Sequence, residues 1–367
     1  MRVGIYIDRI DLRGGAQRVV SNLCHGWTRR GWAVHLIVVS GDTPSFPIPS
    51  EVKTHALAKR HKRRGVLGAW DNWQHVRALG RVVRAEQLDA VLAVSAVANI
   101  HLAQADLPAH VVRIGSEHSY PAHFPLPFYK EWFRGRAYPQ LDAIVCPTKE
   151  AADYLAKAYP GARTHGIPNW LTWPLPKGDG SAGAAIGRPG RRTFLACGRF
   201  DKLKGLSRLI AMFDGLKERL PNWDLVIVGD GEDRDLLKAQ VAQAKLVGRV
   251  FFPGWVADME SVFRSADVFV FPSVSEGFAL VLAEAMACGL PCVSYDCKVG
   301  PAEIIRDRVD GVLVPVGDEA AFSAIMLRMA EDETERRRLA TACPEIMRRL
   351  SEDAIHPLWA QVLGHKR

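Results

Sequence analysis

Short apolar runs alternate with amphipathic stretches along the whole chain. Val3–Ile7, Val34–Val39, Ala90–Val94, Val111–Ile114 and Ala143–Cys146 form one series, and Thr193–Cys197, Leu225–Val228, Val250–Phe252, Val268–Phe271 and Cys292–Tyr295 a second. Each run is rich in Val, Ile or Phe and lacks polar alternation, as expected of strands buried on both faces. Helical patterns separate most of them, which predicts an α/β protein with two parallel sheets covered by helices. Between the series, residues 174–190 (PLPKGDGSAGAAIGRPG) keep no periodicity and read as a linker. The pattern divides the chain into an N-terminal domain over residues 1–170, a linker over 171–192 and a C-terminal domain over 193–350. Residues 320–349 are helical by pattern and charge, and 353–363 suit a last helix within the terminal segment 351–367, whose Trp359 needs a surface to pack on.

Composition narrows the class. A chain of 367 residues suits two cores better than one. Apolar residues make up 48% and charged residues 24%, as in soluble globular proteins. No apolar run is long enough for a transmembrane helix. The opening MRVGIYIDRI reads as a first strand, not a signal peptide. The seven cysteines are scattered; Cys288 and Cys292 lie close together, but no second ligand pair stands at zinc-like spacing. No metal is therefore expected, and the thiols read as reduced, in a cytoplasmic protein. Charge is unevenly placed: residues 1–165 carry a net +9 and residues 166–367 a net −1. The basic half should meet something anionic.

Four segments at strand ends carry candidate chemistry. Gly14 and Gly15 precede a helix whose apolar positions are Val19, Val20, Leu23 and Trp27; they suit either a close ligand approach or a tight strand–helix turn. Arg199 and Lys204 straddle the turn after Cys197, where open α/β sheets bind ligands. Two cations there suit a diphosphate, or are simply solvated. Val228-Gly229-Asp230-Gly231 starts like a dinucleotide fingerprint but has Arg234 at the third glycine position, which argues against a dehydrogenase and leaves a turn bordering a nucleotide. In Ser275–Gly289, Glu276 stands at the mouth of a helix and can hold sugar hydroxyls. The amides of Gly277, Phe278, Ala279 and Leu280 suit a phosphate. Glu284 lies two turns inside that apolar helix, where a carboxylate needs either ligand hydroxyls or a buried ion pair.

A basic and aromatic stretch runs through Lys59, Arg60, Lys62, Arg63 and Arg64 to Trp70, Trp73, Arg77, Arg81 and Arg84. It suits an anionic membrane surface or a lipid diphosphate, and equally a solvated loop and an ordinary amphipathic helix. No nucleic-acid motif accompanies the charge.

With these motifs in view, the chain resembles the retaining glycosyltransferases of family 4, over nearly its full length. The resemblance rests on Gly14-Gly15, Gly198-Arg199 with Lys204-Gly205, Val228–Gly231, and the pair Glu276 and Glu284 eight residues apart. It implies the GT-B fold, two Rossmann-like domains whose parallel sheets face a central cleft. It implies that Arg199 and Lys204 bind the donor diphosphate, that Glu284 holds the ribose and that Glu276 holds the donor sugar. Gly15 would lie near the donor, Gly14 near the acceptor. His118, in Ser116-Glu117-His118-Ser119, fits the place of a histidine facing the donor sugar, with Glu117 a rival. The last helix would cross back to the N-terminal domain. The implied reaction moves a hexosyl or N-acetylhexosaminyl unit from a UDP-sugar to a glycan or lipid-linked glycan, at the inner face of the cytoplasmic membrane, without a cofactor. An epimerase or phosphorylase on the same fold is the alternative.

Overall fold

A computed structural model describes residues 1–12, 14–41, 43–57, 66–123, 125–175 and 178–364. The chain forms two compact units: residues 1–170 with 352–367, and residues 171–351.

The first unit carries β1 (Arg2–Arg9), β2 (Ala33–Ser40), β3 (Lys53–Ala56), β4 (Ala90–Val94), β5 (Val112–Ser116), β6 (Ala143–Cys146) and β7 (Thr164–Gly166). They pair in the order β3-β2-β1-β4-β5-β6-β7, and every pair is parallel. Helices α1 (Gly15–Arg29), α2 (Val66–Ala85), α3 (Ala96–Gln104) and α4 (Phe128–Ala137) follow β1, β3, β4 and β5.

The second unit repeats the plan with β8 (Arg192–Cys197), β9 (Trp223–Val228), β10 (Val250–Gly254), β11 (Val268–Phe271), β12 (Cys292–Asp296) and β13 (Val312–Pro315), ordered β10-β9-β8-β11-β12-β13. Its strands show why the runs lack alternation. Phe194, Ala196, Leu225, Ile227, Val268 and Val270 enter one core, while Leu195, Cys197, Val226, Val228, Phe269 and Phe271 enter the other. Successive side chains point to opposite faces. With helices on both faces, both parities must be apolar.

Two expectations need correction. Residues 171–192 are not a free linker: Ser181–Ile186 is helical, and Leu171, Leu175 and Ile186 lie in the second core. Glycine and alanine hid the helix, because they carry little periodicity. The strands β3, β7 and β13 were not expected; the first two, KTHA and THG, are polar edge strands without an apolar run.

The last helix, Glu352–Gly364, belongs to the first unit. Trp359 is 2% exposed and meets Trp27 edge-on at 5.8 Å, while His356 packs on Trp32 at 5.2 Å. Arg30 pairs with Glu352 at 2.9 Å, and further ion pairs join Arg29 to Glu352 and Arg30 to Asp353. These carboxylates sit in the first turn of the helix, where its dipole favours negative charge.

Candidate functional site

In the second sheet the strand order reverses direction between β8 and β11. The loops after these two strands flank the gap where open α/β sheets take ligands. The first loop is held by backbone bonds. Gly198 N–H donates to Val228 O at 3.0 Å and Phe200 N–H to Asp230 O at 2.9 Å. Asp201 accepts from Leu203 N–H at 3.0 Å and starts the short turn that carries Lys204. Gly205 ends it with φ +65°, and a Cβ there would lie 2.2 Å from Pro272 O, so only glycine lets this turn meet the end of β11. The Val228–Gly231 segment has a packing role too: a Cβ on Gly229 would come 1.9 Å from Gly198 O.

The second loop brings Glu276 to Lys204. Lys204 Nζ lies 2.6 Å from Glu276 Oε1, with side chains 22% and 9% exposed. Sequence reasoning assigned the two residues to different parts of a ligand; the structure shows that they also neutralise each other. Burial, and after it the Glu276 charge, push the nearby Cys297 thiol up to about 12. Among the described residues Arg199 pairs with Asp201 alone, at 2.7 Å, and its side chain is 70% exposed. An exposed pair of this kind restrains little, so Arg199 is free to reach an anion.

The helix behind Glu276 spans Leu280–Ala287, so Glu284 stands one turn in, not two. It is half-buried, and its charge adds to the burial that raises the thiol of Cys197, the last residue of β8. Both glutamates and Lys204 therefore cluster around the ends of β8 and β11. Among the described residues no acceptor takes the amides of Gly277, Phe278, Ala279 or Leu280. The residue before the helix, Ala279, is left-handed at φ +67°, a conformation that costs a non-glycine residue roughly 1–3 kcal/mol and collects at binding sites. Nothing in its residue type announces this.

In the first unit, Gly14 caps α1 with an extended backbone, φ −136°. A Cβ on Gly15 would meet nothing within 4 Å. Neither the dihedral nor packing demands glycine at Gly15. Ser95, at the end of β4 and unremarked in the sequence, has φ +119° and accepts from Ala98 N–H at 3.3 Å.

His118 lies just past β5. Its Nε2 is 2.8 Å from Ser116 Oγ, and its Nδ1 is buried without a partner. Burial pushes its pKa down to about 4, so the ring is neutral near pH 7. The rival Glu117 points elsewhere. Its carboxylate binds Arg134 Nη2 at 2.7 Å and accepts from Tyr138 OH, which makes it a buried structural group.

Arg60, Lys62, Arg63 and Arg64, with Lys59, lie outside the described residues. Beyond them, Trp70 and Trp73 are 53% and 46% exposed and stack at 4.8 Å, with Arg77 over Trp73. Arg84 is bound to the Asp106 carbonyl at 2.8 Å. All seven cysteines are free thiols. The one metal-like cluster among the described residues is His35, His55 and Glu86, whose ligand atoms lie within 4.8 Å. Its groups already satisfy one another: the rings meet at 3.1 Å, and Glu86 binds Lys53 at 2.6 Å. No described helix is long and apolar enough to cross a membrane.

Comparison with known proteins places these loops in context. Residues 13–171 match the family Glycosyltransferase Family 4, and residues 185–345 match Glycosyl transferases group 1. An uncharacterized glycosyltransferase of Haemophilus influenzae is 25% identical over 85% of both chains. The amylovoran biosynthesis glycosyltransferase AmsD of Erwinia amylovora is 24% identical over 98% of this chain and 99% of its own. The crystal structure of Anabaena HepE in complex with UDP superposes with a TM-score of 0.81 at 19% identity, covering 99% of this chain and 100% of that one. The chain belongs to the glycosyltransferases that join a family 4 domain to a group 1 domain on the GT-B fold.

Proposed function

We propose that the chain transfers a hexosyl or N-acetylhexosaminyl unit from a nucleoside diphosphate sugar to a glycan or lipid-linked glycan in polysaccharide assembly, with retention of configuration. The observation that carries this reading is the convergence of Lys204, Glu276 and Glu284 at the ends of β8 and β11, with Arg199 exposed beside them. Lys204 and Arg199 offer positive charge to a diphosphate. The unpaired amides of Gly277–Leu280 add donors to it. Glu276 and Glu284 are acceptors suited to hydroxyls of the sugar and ribose. Uridine is the favoured base, since UDP occupies the similar HepE structure. Polysaccharide assembly is favoured because AmsD, which aligns end to end, is an amylovoran biosynthesis enzyme.

In this reading the bond from the anomeric carbon to the leaving phosphate oxygen breaks as the acceptor oxygen bonds on the same face. The acceptor's proton passes to the departing diphosphate, whose charge Arg199 and Lys204 stabilise. Such preorganised donors contribute roughly 3–4 kcal/mol each. No metal or cofactor is assigned a role. His118, neutral and with one ring nitrogen unpartnered, is assigned to positioning the sugar, with Gly15 near the donor and Gly14 near the acceptor. The net charge of +9 on residues 1–165 suits peripheral binding to the inner face of the cytoplasmic membrane.

The test is proton NMR of the first-formed product from UDP-hexoses and a glycan acceptor. An α-linked product from an α-linked donor supports the reading. A β-linked product refutes retention, and donor conversion without acceptor points to an epimerase.

A further inference from the structure

Helix α4 is built inside out. Its aromatic residues Phe128, Tyr129, Trp132 and Phe133 are 88%, 60%, 48% and 42% exposed, while Arg134 is only 2% exposed. At 100° per residue, positions 128, 129, 132, 133 and 136 fall within an arc of about 140°, so the aromatics and Arg136 share one outward face. The inward face is ionic. Arg134 binds Glu117 at 2.7 Å and Glu131 at 3.0 Å, and Glu131 also accepts from Tyr159 OH at 2.6 Å. Helices of soluble proteins normally do the reverse, with apolar residues inward. An aromatic face held out to solvent by a buried ion-pair network marks an interaction surface.

The chemistry of the face selects its partner. Trp, Tyr and Phe beside basic residues suit the interfacial zone of a bilayer, where rings sit at headgroup level. Arg136 lies 4.0 Å above the Trp132 ring, so it can cover apolar surface while its charge stays in water. The unit that carries α4 has a net charge of +9, against −1 for the other, which complements anionic headgroups. We propose that α4 is a membrane-docking helix, which seats its aromatic face in the headgroup region of a bilayer rich in anionic lipid. The proposal rests on the reading of an acceptor held at a membrane. Its consequence is local: Glu117, the anchor of α4, is the residue before His118. A docked α4 would fix the height of the His118 loop above the lipid.

The test uses the full chain and two vesicle types, pure phosphatidylcholine and phosphatidylcholine with phosphatidylglycerol. Co-sedimentation should show binding to the anionic vesicles, at least tenfold weaker in a Phe128→Ser, Trp132→Ser, Phe133→Ser variant. All three side chains are exposed, so the variant should keep its melting temperature and its stabilisation by UDP. Brominated lipid should quench wild-type tryptophan fluorescence more than that of Trp132→Phe. Equal vesicle binding by wild type and the triple variant overturns the proposal. So does a wild type that ignores vesicles but self-associates through this face, with the triple variant monomeric, since a second copy would then be the partner. UDP stabilisation is read separately, so either failure is distinct from failure of the donor site.

Discussion

Replacing Lys204 by Ala strips Glu276 of its ion-pair partner, so it should cost stability as well as activity. The Nζ–Oε1 distance is 2.6 Å, and Glu276 is 9% exposed. Two charges near a protein surface attract by about 4 kcal/mol at 4 Å, before desolvation is counted. Breaking a fully buried pair costs about 3–5 kcal/mol, because one charge is left behind. Lys204 is 22% exposed, so water reaches the site, and we expect a loss of about 2 kcal/mol on discounting that range. For a unit of this size that is a fall of about 4–8 °C in Tm. Glu276→Gln should cost less, since Lys204 can turn to water. The double variant should then be more stable than the two single losses add to, with a coupling of about 1 kcal/mol or more. Activity should behave differently. All three variants should lose about 100-fold or more in turnover, because rejoining neutral side chains restores no donor contact. Denaturant unfolding and turnover are measured on the same preparations. Additive stability losses, within about 0.3 kcal/mol, would show that the pair contributes nothing to the free protein. Recovery of turnover in the double variant would show that these residues serve the fold alone.

Arg199→Ala should leave Tm nearly unchanged, since the side chain is 70% exposed, but lower turnover by about 100-fold; initial-rate kinetics with the melting curve check both. Glu284→Ala should weaken binding of UDP by about 10- to 150-fold, the loss of a charged hydrogen bond worth about 1.5–3 kcal/mol; titration calorimetry reads it, and unchanged affinity would remove Glu284 from the donor site. His118 has its folded pKa lowered by burial from 6.5 to about 4. Between those values the unfolded chain takes up a proton that the folded one refuses, so stability should fall as pH falls through that window and level off below it. His118→Asn should flatten that limb in urea titrations at stepped pH, by at most about 1.4 kcal/mol per pH unit.

The sheets were legible because their strands are buried on both faces. Phe194 and Leu195 feed different cores, so neither parity can be polar. Where a strand sits at an edge, as in Lys53–Ala56, that constraint lapses and the pattern vanishes. The helix Ser181–Ile186 was hidden for a different reason: side chains as small as those of SAGAAI leave no stripe to detect. Strand-end positions singled out Arg199, Lys204 and Glu276, and a lone carboxylate in an apolar helix singled out Glu284; that these are donor-site residues is the proposal. The ion pair between Lys204 and Glu276 spans 72 residues, and no local period encodes it. Glu117 and His118 could not be told apart from their own neighbourhood, because the groups that claim Glu117, Arg134 and Tyr138, come from α4 and the residue just after it.

The C-terminal helix has a consequence for how the protein is made. The slot at Trp27 is lined by residues that leave the ribosome early, yet Trp359, which fills it, follows the whole of residues 171–351. At about 5–20 residues per second of synthesis, the slot stays open for roughly 10–40 seconds. During that interval Trp27 lacks the ring of Trp359 and Trp32 the ring of His356. A chain that stops before residue 352 would carry residues 171–351 in full yet lack the helix that covers Trp27, so the first unit depends for its closure on residues made after the second.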